Sequence, residues 1–189
     1  PIQDVEIDCG GIKIKAHYRT PKSETKVPAV LIMCGADVFK EDRGWAADMA
    51  LNEGMASLVM DAPGTGENPF PWKPESVKAW EAAIDTLMDR PEIDPKRVGA
   101  FGVSRGGYSV LQLAGTAPDK VKAVVAIAGH PFHNNPSKED LDLIVETRNE
   151  RAQFKFGEKD GPTWVPEWSK QKEYETSKAW SLESLNLVD

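Results

Sequence analysis

Apolar and polar positions alternate along Gln3–Asp8 and again along Ile12–Tyr18, on either side of Cys9-Gly10-Gly11. Period-2 alternation sends successive side chains to opposite faces of a strand, and glycines supply the positive φ of a tight turn. The two runs therefore predict an antiparallel hairpin. The pattern then changes. Val27–Cys34, Ala56–Asp61, Arg97–Val103 and Val121–Ala128 are each largely or wholly apolar. Strands covered on both faces read this way, so these runs predict four buried strands of a mostly parallel sheet.

The segments between them change period. Asp42–Glu53 gathers Trp45, Ala46, Met49 and Ala50 on one stripe, and Ser76–Leu87 gathers Val77, Trp80, Ala83, Ile84 and Leu87. Both spacings predict amphipathic helices with those residues turned to the sheet. A third helix is expected from Ser104 or Arg105 through Tyr108, Val110, Leu111 and Leu113 to about Gly115. Strands alternating with helices imply right-handed crossovers and an α/β fold with helices on both faces of the sheet.

From Pro136 onward charges multiply, Pro162 and Pro166 interrupt the chain and no further apolar strand follows. Residues 1–135 read as the α/β core and 136–189 as a cap-like helical segment of the same domain. Within it Asp140–Arg151 is an expected helix with Ser137 as N-cap. Trp164, Trp168 and Trp180 either bury against the core or line an aromatic or acyl pocket.

Composition narrows the function classes. The chain has 189 residues, 23 Lys plus Arg against 30 Asp plus Glu, a net charge of -7, and two cysteines. No apolar stretch approaches the ~20 residues of a membrane span, and the acidic balance opposes binding to a phosphate backbone. Cys9 and Cys34 sit in strand-like runs, where a free buried thiol is expected, which fits a cytoplasmic protein. Two cysteines and three histidines show no ligand spacing, and no cofactor or metal is implied.

The chemistry is concentrated in Gly102-Val103-Ser104-Arg105-Gly106-Gly107-Tyr108, a G-x-S-x-G sequence directly after one predicted strand and before a helix. Such a turn forces the serine into strained backbone angles and needs small flanking residues. Ser104 is thus the candidate nucleophile, at a helix N-terminus that favours developing negative charge; a serine N-cap is the plainer alternative. Oxyanion donors are expected from the Arg105 N–H and from the small-residue loop Gly35-Ala36-Asp37, with Ala36 N–H the first choice and Asp37 next. Asp61-Ala62-Pro63-Gly64-Thr65-Gly66 lies after another strand at the same rim, and Asp61 reads as a loop cap that accepts backbone amides.

These words resemble the α/β-hydrolases. Ile93-Asp94-Pro95-Lys96-Arg97-Val98 before the serine motif, with Asp61-Ala62-Pro63-Gly64, is similar to the branch containing dihydroxypseudooxynicotine hydrolase, fermentation-respiration-switch esterases and fungal polyketide-shortening hydrolases. The resemblance implies a serine hydrolase acting on an ester, or on a carbon-carbon bond next to a ketone. Its substrate would be a small carbonyl compound, aromatic if the tryptophans line the pocket.

The chain departs from that pattern. In this fold the triad acid and histidine follow the nucleophile, and no strand expected to carry them is predicted after Val121–Ala128. The reading therefore expects a partial sheet, and a fragment, a cleavage product or a chain completed by a homodimer mate or second chain. His17 is expected at the surface of the hairpin. His130 and His133, just past the last predicted strand, are candidates for a substitute base, for a substrate contact, or for polar loop residues. A non-catalytic binding module without a complete triad is the competing function.

Overall fold

A computed structural model describes residues 1–129 together with 142, 186 and 187. Residues 1–129 lie within a compact unit, Pro1–Pro131. The expected hairpin is there. β1 (Gln3–Cys9) pairs antiparallel with β2 (Ile12–Arg19), and Gly10 and Gly11 turn between them at φ 62° and 88°. β3 (Val27–Met33), α1 (Gly44–Asn52), β4 (Ala56–Met60), α2 (Val77–Met88), β5 (Ile93–Val103), α3 (Arg105–Thr116) and β6 (Ala123–Ile127) follow in strict alternation.

The sheet order is β1-β2-β4-β3-β5-β6, with β4, β3, β5 and β6 parallel and β2 antiparallel to β4. The chain runs one way from β3 to β4 and the other way from β4 to β5. With right-handed crossovers this reversal places α1 on one face and α2 and α3 on the other. The core divides accordingly. Leu31, Met33, Leu58 and Met60 pack with Trp80, Ile84, Leu87, Val110 and Leu113, whereas Ile32, Cys34 and Val59 pack with Ala46 and Ala47. Alternate residues of one strand thus feed opposite cores, which is why β3 and β4 are apolar throughout.

Two expectations about coverage fail, that for α1 only in part, since Ala46 and Ala50 are buried as expected. Trp45 and Met49 are 49% and 61% exposed, and α1 meets the sheet through Ala46, Ala47 and Ala50. The small residues let the helix approach closely, and Trp45 is displaced to the flank, edge-on to Phe101 at 5.9 Å. β6 is exposed along its whole length, including Val124, Val125 and Ile127. Among the described residues it is the edge strand of the sheet, paired only to β5. An apolar run records the chemistry of a strand, and its coverage depends on neighbours that the run does not contain. Boundaries also move: β5 begins at Ile93 instead of Arg97, and a 3-10 turn, Lys40–Arg43, precedes a shorter α1.

Both cysteines are free, Cys9 partly and Cys34 fully buried. Burial raises both thiols, Cys34 to about 12 with the negative charge of Asp61 adding to the effect. The thiolate is the reactive form. A thiol reagent at pH 8 is therefore expected to modify Cys9 first and Cys34 only on unfolding, as followed by mass spectrometry. No helix among the described residues is long and apolar enough to cross a membrane.

Candidate active site

The strand register builds the site. Met33 lies beside Met60 on one side and Gly102 on the other, so the loops leaving β3, β4 and β5 emerge at one rim. β3 and β5 flank the point where the strand order reverses, and open α/β sheets bind ligands outside the carboxyl ends of strands at such a point.

Ser104 stands between β5 and α3 with φ 59° and ψ −121°, and is exposed. Non-glycine residues rarely hold these angles, which cost of the order of 1–3 kcal/mol. Neighbours hold them in place. The Ser104 amide donates to the Ile127 carbonyl at 2.8 Å, and the Ser104 carbonyl accepts from the Tyr108 amide at 3.0 Å. Glycine is required on both sides. A Cβ on Gly102 would collide with the Gly106 carbonyl, and one on Gly106 with the carbonyl of Met33. Gly106→Ala is accordingly expected to push α3 away from β3 and lower stability by about 3 kcal/mol, the upper end of an overpacking cost. Chemical denaturation measures it.

Arg105 opens α3, at the end where backbone N–H groups point away from the helix body. Ala36 and Asp37 form the turn after β3, Ala36 half-buried and Asp37 exposed. Gly35 joins this turn to the serine: a Cβ there would lie 3.1 Å from the Val103 carbonyl oxygen and 3.6 Å from Ser104 Cβ. The Gly35–Asp37 loop and the serine turn are therefore in contact at the rim. The Arg105 guanidinium stacks on Trp72, with Cζ 4.4 Å from the ring centroid.

Asp61 is the buried anchor of this rim. Its Oδ1 accepts the Lys40 amide at 2.7 Å and its Oδ2 the Glu67 amide at 2.9 Å, while its backbone carbonyl accepts Asn68 Nδ2 at 2.9 Å. One carboxylate thus ties the turn after β3 to the loop after β4, in keeping with its reading as a loop cap. Gly66 at φ 50° leaves room for it, since a Cβ there would strike the carboxylate. Lys40, 4% exposed, reaches Asp61 at 3.4 Å, Glu67 at 2.7 Å and Glu41 at 2.9 Å. Burial opposes its charge, but bonds from Glu67 and Glu41 outweigh that and hold the ammonium above its usual range. Lys15 and then Lys40 draw Glu67 down to about 2.

Sequence reasoning singled out neither Lys40 nor Glu67, nor the buried Arg43 that closes the same 3-10 turn. The run Lys40-Glu41-Asp42-Arg43 looks like a solvated stretch, and the signal that relocates it is the pairing of β3 with β4. His17 is 17% exposed instead of lying free at the surface, because Asp4 and Glu41 approach its Nε2 to 3.4 and 3.7 Å. It sits on β2, three strands from β5, or about 14 Å at ordinary strand spacing, too far to serve Ser104 directly. His130 and His133 lie outside the described residues.

Residues 2–145 match the family model described as Esterase FrsA-like. The chain belongs to the FrsA-like esterase family. One FrsA-like relative, Esterase FrsA of Vibrio vulnificus, is 29% identical over 136 residues, 70% of this chain and 32% of that protein. The 2,6-dihydropseudooxynicotine hydrolase of Paenarthrobacter nicotinovorans is 30% identical over 121 residues, 62% of this chain and 33% of that protein. The matched stretch thus spans about a third of these relatives. Among solved structures, a 2,6-dihydroxy-pseudo-oxynicotine hydrolase superposes with TM-score 0.77 at 22% identity, covering 97% of this chain and 49% of that one. DcsB in complex with its substrate analogue gives 0.70 at 19% identity, covering 100% and 77%. The fold is that of an α/β-hydrolase, with helices on both faces of a mostly parallel sheet, present here in part.

Proposed function

We propose that the intact protein carrying this chain is a serine hydrolase in which Ser104 forms an acyl-enzyme. The observation that carries this reading is Ser104 held at φ 59° in an exposed strand-to-helix turn between glycines that tolerate no side chain. Strain of this kind persists where the surroundings over-determine it, commonly at sites of chemistry. In the proposed reaction a base takes the hydroxyl proton as Oγ bonds to the substrate carbonyl carbon. The Arg105 and Ala36 amides stabilise the oxyanion, the leaving group departs with a proton, and water then releases the acid. His130 or His133, or a residue from the rest of the protein or a second chain, supplies the base.

The names of the relatives, an esterase and a hydrolase of a pseudooxynicotine, support an ester or a carbon-carbon bond next to a ketone as the bond cleaved. The test is to trap the intermediate. Rapid quenching of the intact protein during turnover of a 4-nitrophenyl ester should add one acyl mass to the peptide containing Ser104. Turnover without that adduct, in a protein whose Ser104→Ala variant remains active, rejects the reading.

A further inference from the structure

We propose that Arg43 binds an anionic group of the substrate beside Ser104, so that the preferred substrate is an acyl compound carrying a carboxylate near its scissile carbonyl. This rests on the Ser104 reading and adds a substrate class to it.

Arg43 ends the 3-10 turn that follows the Gly35–Asp37 loop and is only 9% exposed. Its Nε is buried without a hydrogen-bond partner. Among the described residues, Arg19, Arg90 and Arg97 each have a carboxylate oxygen close by, at 2.6, 3.7 and 2.7 Å. Arg43 has none among them, and its Cζ stands over the Trp45 ring, 5.9 Å from the centroid. The acids nearest in sequence or at the same rim have other partners within bonding distance. Asp42 Oδ2 accepts the Phe39 amide at 2.8 Å, Glu41 pairs with Lys40, and Asp61 holds the Lys40 and Glu67 amides.

A buried charge without a counter-charge is strongly unfavourable, and folding alone gives no reason to keep one. Its position supplies the reason. The point where a Gly35 Cβ would stand is 3.9 Å from Arg43 Nη2 and 3.6 Å from Ser104 Cβ, so the guanidinium and the nucleophile flank the same glycine. A carboxylate on the acyl portion of a substrate would there find a planar fork suited to two parallel hydrogen bonds. A neutral substrate would leave the cation unpaired, and sites built around buried polar groups discriminate strongly against such analogues.

The experiment compares 4-nitrophenyl hydrogen succinate with its methyl ester, a pair that differs in charge at one end of the acyl chain, in the intact protein. The expected ratio of kcat/KM, anionic over methylated, is at least about tenfold, the size of one charge-assisted contact. Arg43→Gln should reduce that ratio by about tenfold or more, and Arg43→Lys, which keeps the charge but loses the fork, should fall between Arg43→Gln and the wild type. A wild-type ratio near one overturns the proposal. So does a ratio unchanged in Arg43→Gln, or an equal loss on both esters in both variants. Turnover of both esters without charge preference sinks Arg43 as a subsite and leaves the Ser104 reading standing. No turnover of either, with no fluorophosphonate adduct on Ser104, removes both.

Discussion

Replacing Ser104 with alanine in the intact protein lowers ester turnover by roughly 10⁴-fold or more, the scale seen when a nucleophile is removed and only oxyanion donors and binding remain. Stability should hardly change. Alanine suffers the same strain at φ 59° as serine, and the Ser104 backbone bonds to Ile127 and Tyr108 do not involve the side chain. Glycine is the informative companion, because it adopts positive φ readily. Ser104→Gly is expected to be equally inactive yet about 1 kcal/mol more stable, as relief of backbone strain requires. Kinetics with one 4-nitrophenyl ester and thermal unfolding of the three proteins check both statements. Loss of activity accompanied by unfolding in Ser104→Ala would instead assign the serine to structure.

The second large effect is on Asp61. Its carboxylate is fully buried, receives two backbone amides and faces Lys40, itself 4% exposed. Asp61→Ala leaves two amides unsatisfied and a buried ammonium short of one counter-charge. Breaking a buried pair from one side costs about 3–5 kcal/mol. Glu67 and Glu41 still hold the Lys40 ammonium, which places the expected loss at the lower end of that range. The loop consequence is separate from stability. Lys40 lies three residues after the Gly35–Asp37 turn, so freeing its amide should loosen that turn and lower the reactivity of Ser104 even at temperatures where the variant is folded. Denaturant titration measures the first effect and the labelling rate by a fluorophosphonate the second. Asp61→Asn, which retains one acceptor oxygen, should fall between.

Much of this architecture is legible in the sequence because the physics behind it is local. Alternation in Gln3–Asp8 and Ile12–Tyr18 and continuous apolarity in Val27–Cys34 follow from which faces each strand buries, and the structure shows those faces. The serine turn was legible for the same reason, since Gly102 and Gly106 are demanded by contacts within a few residues and by the adjacent end of β3. Of the stripe expected on α1, Ala46 and Ala50 are buried and Trp45 and Met49 are not, because close approach to the sheet favours the small residues over the large ones beside them. The exposure of β6 was not legible, because coverage belongs to other elements. The Lys40–Asp61–Glu67 cluster and the placement of Arg43 near Ser104 were hidden for a further reason: the partners are separated along the chain and meet only through the parallel pairing of β3 with β4 and β5.

Whether Ser104 is the nucleophile is decided by treating the intact protein with a fluorophosphonate, digesting it and locating the adduct by mass spectrometry. One adduct is expected, on Ser104, absent from Ser104→Ala. An adduct on any other residue, or labelling that persists in Ser104→Ala, would contradict it.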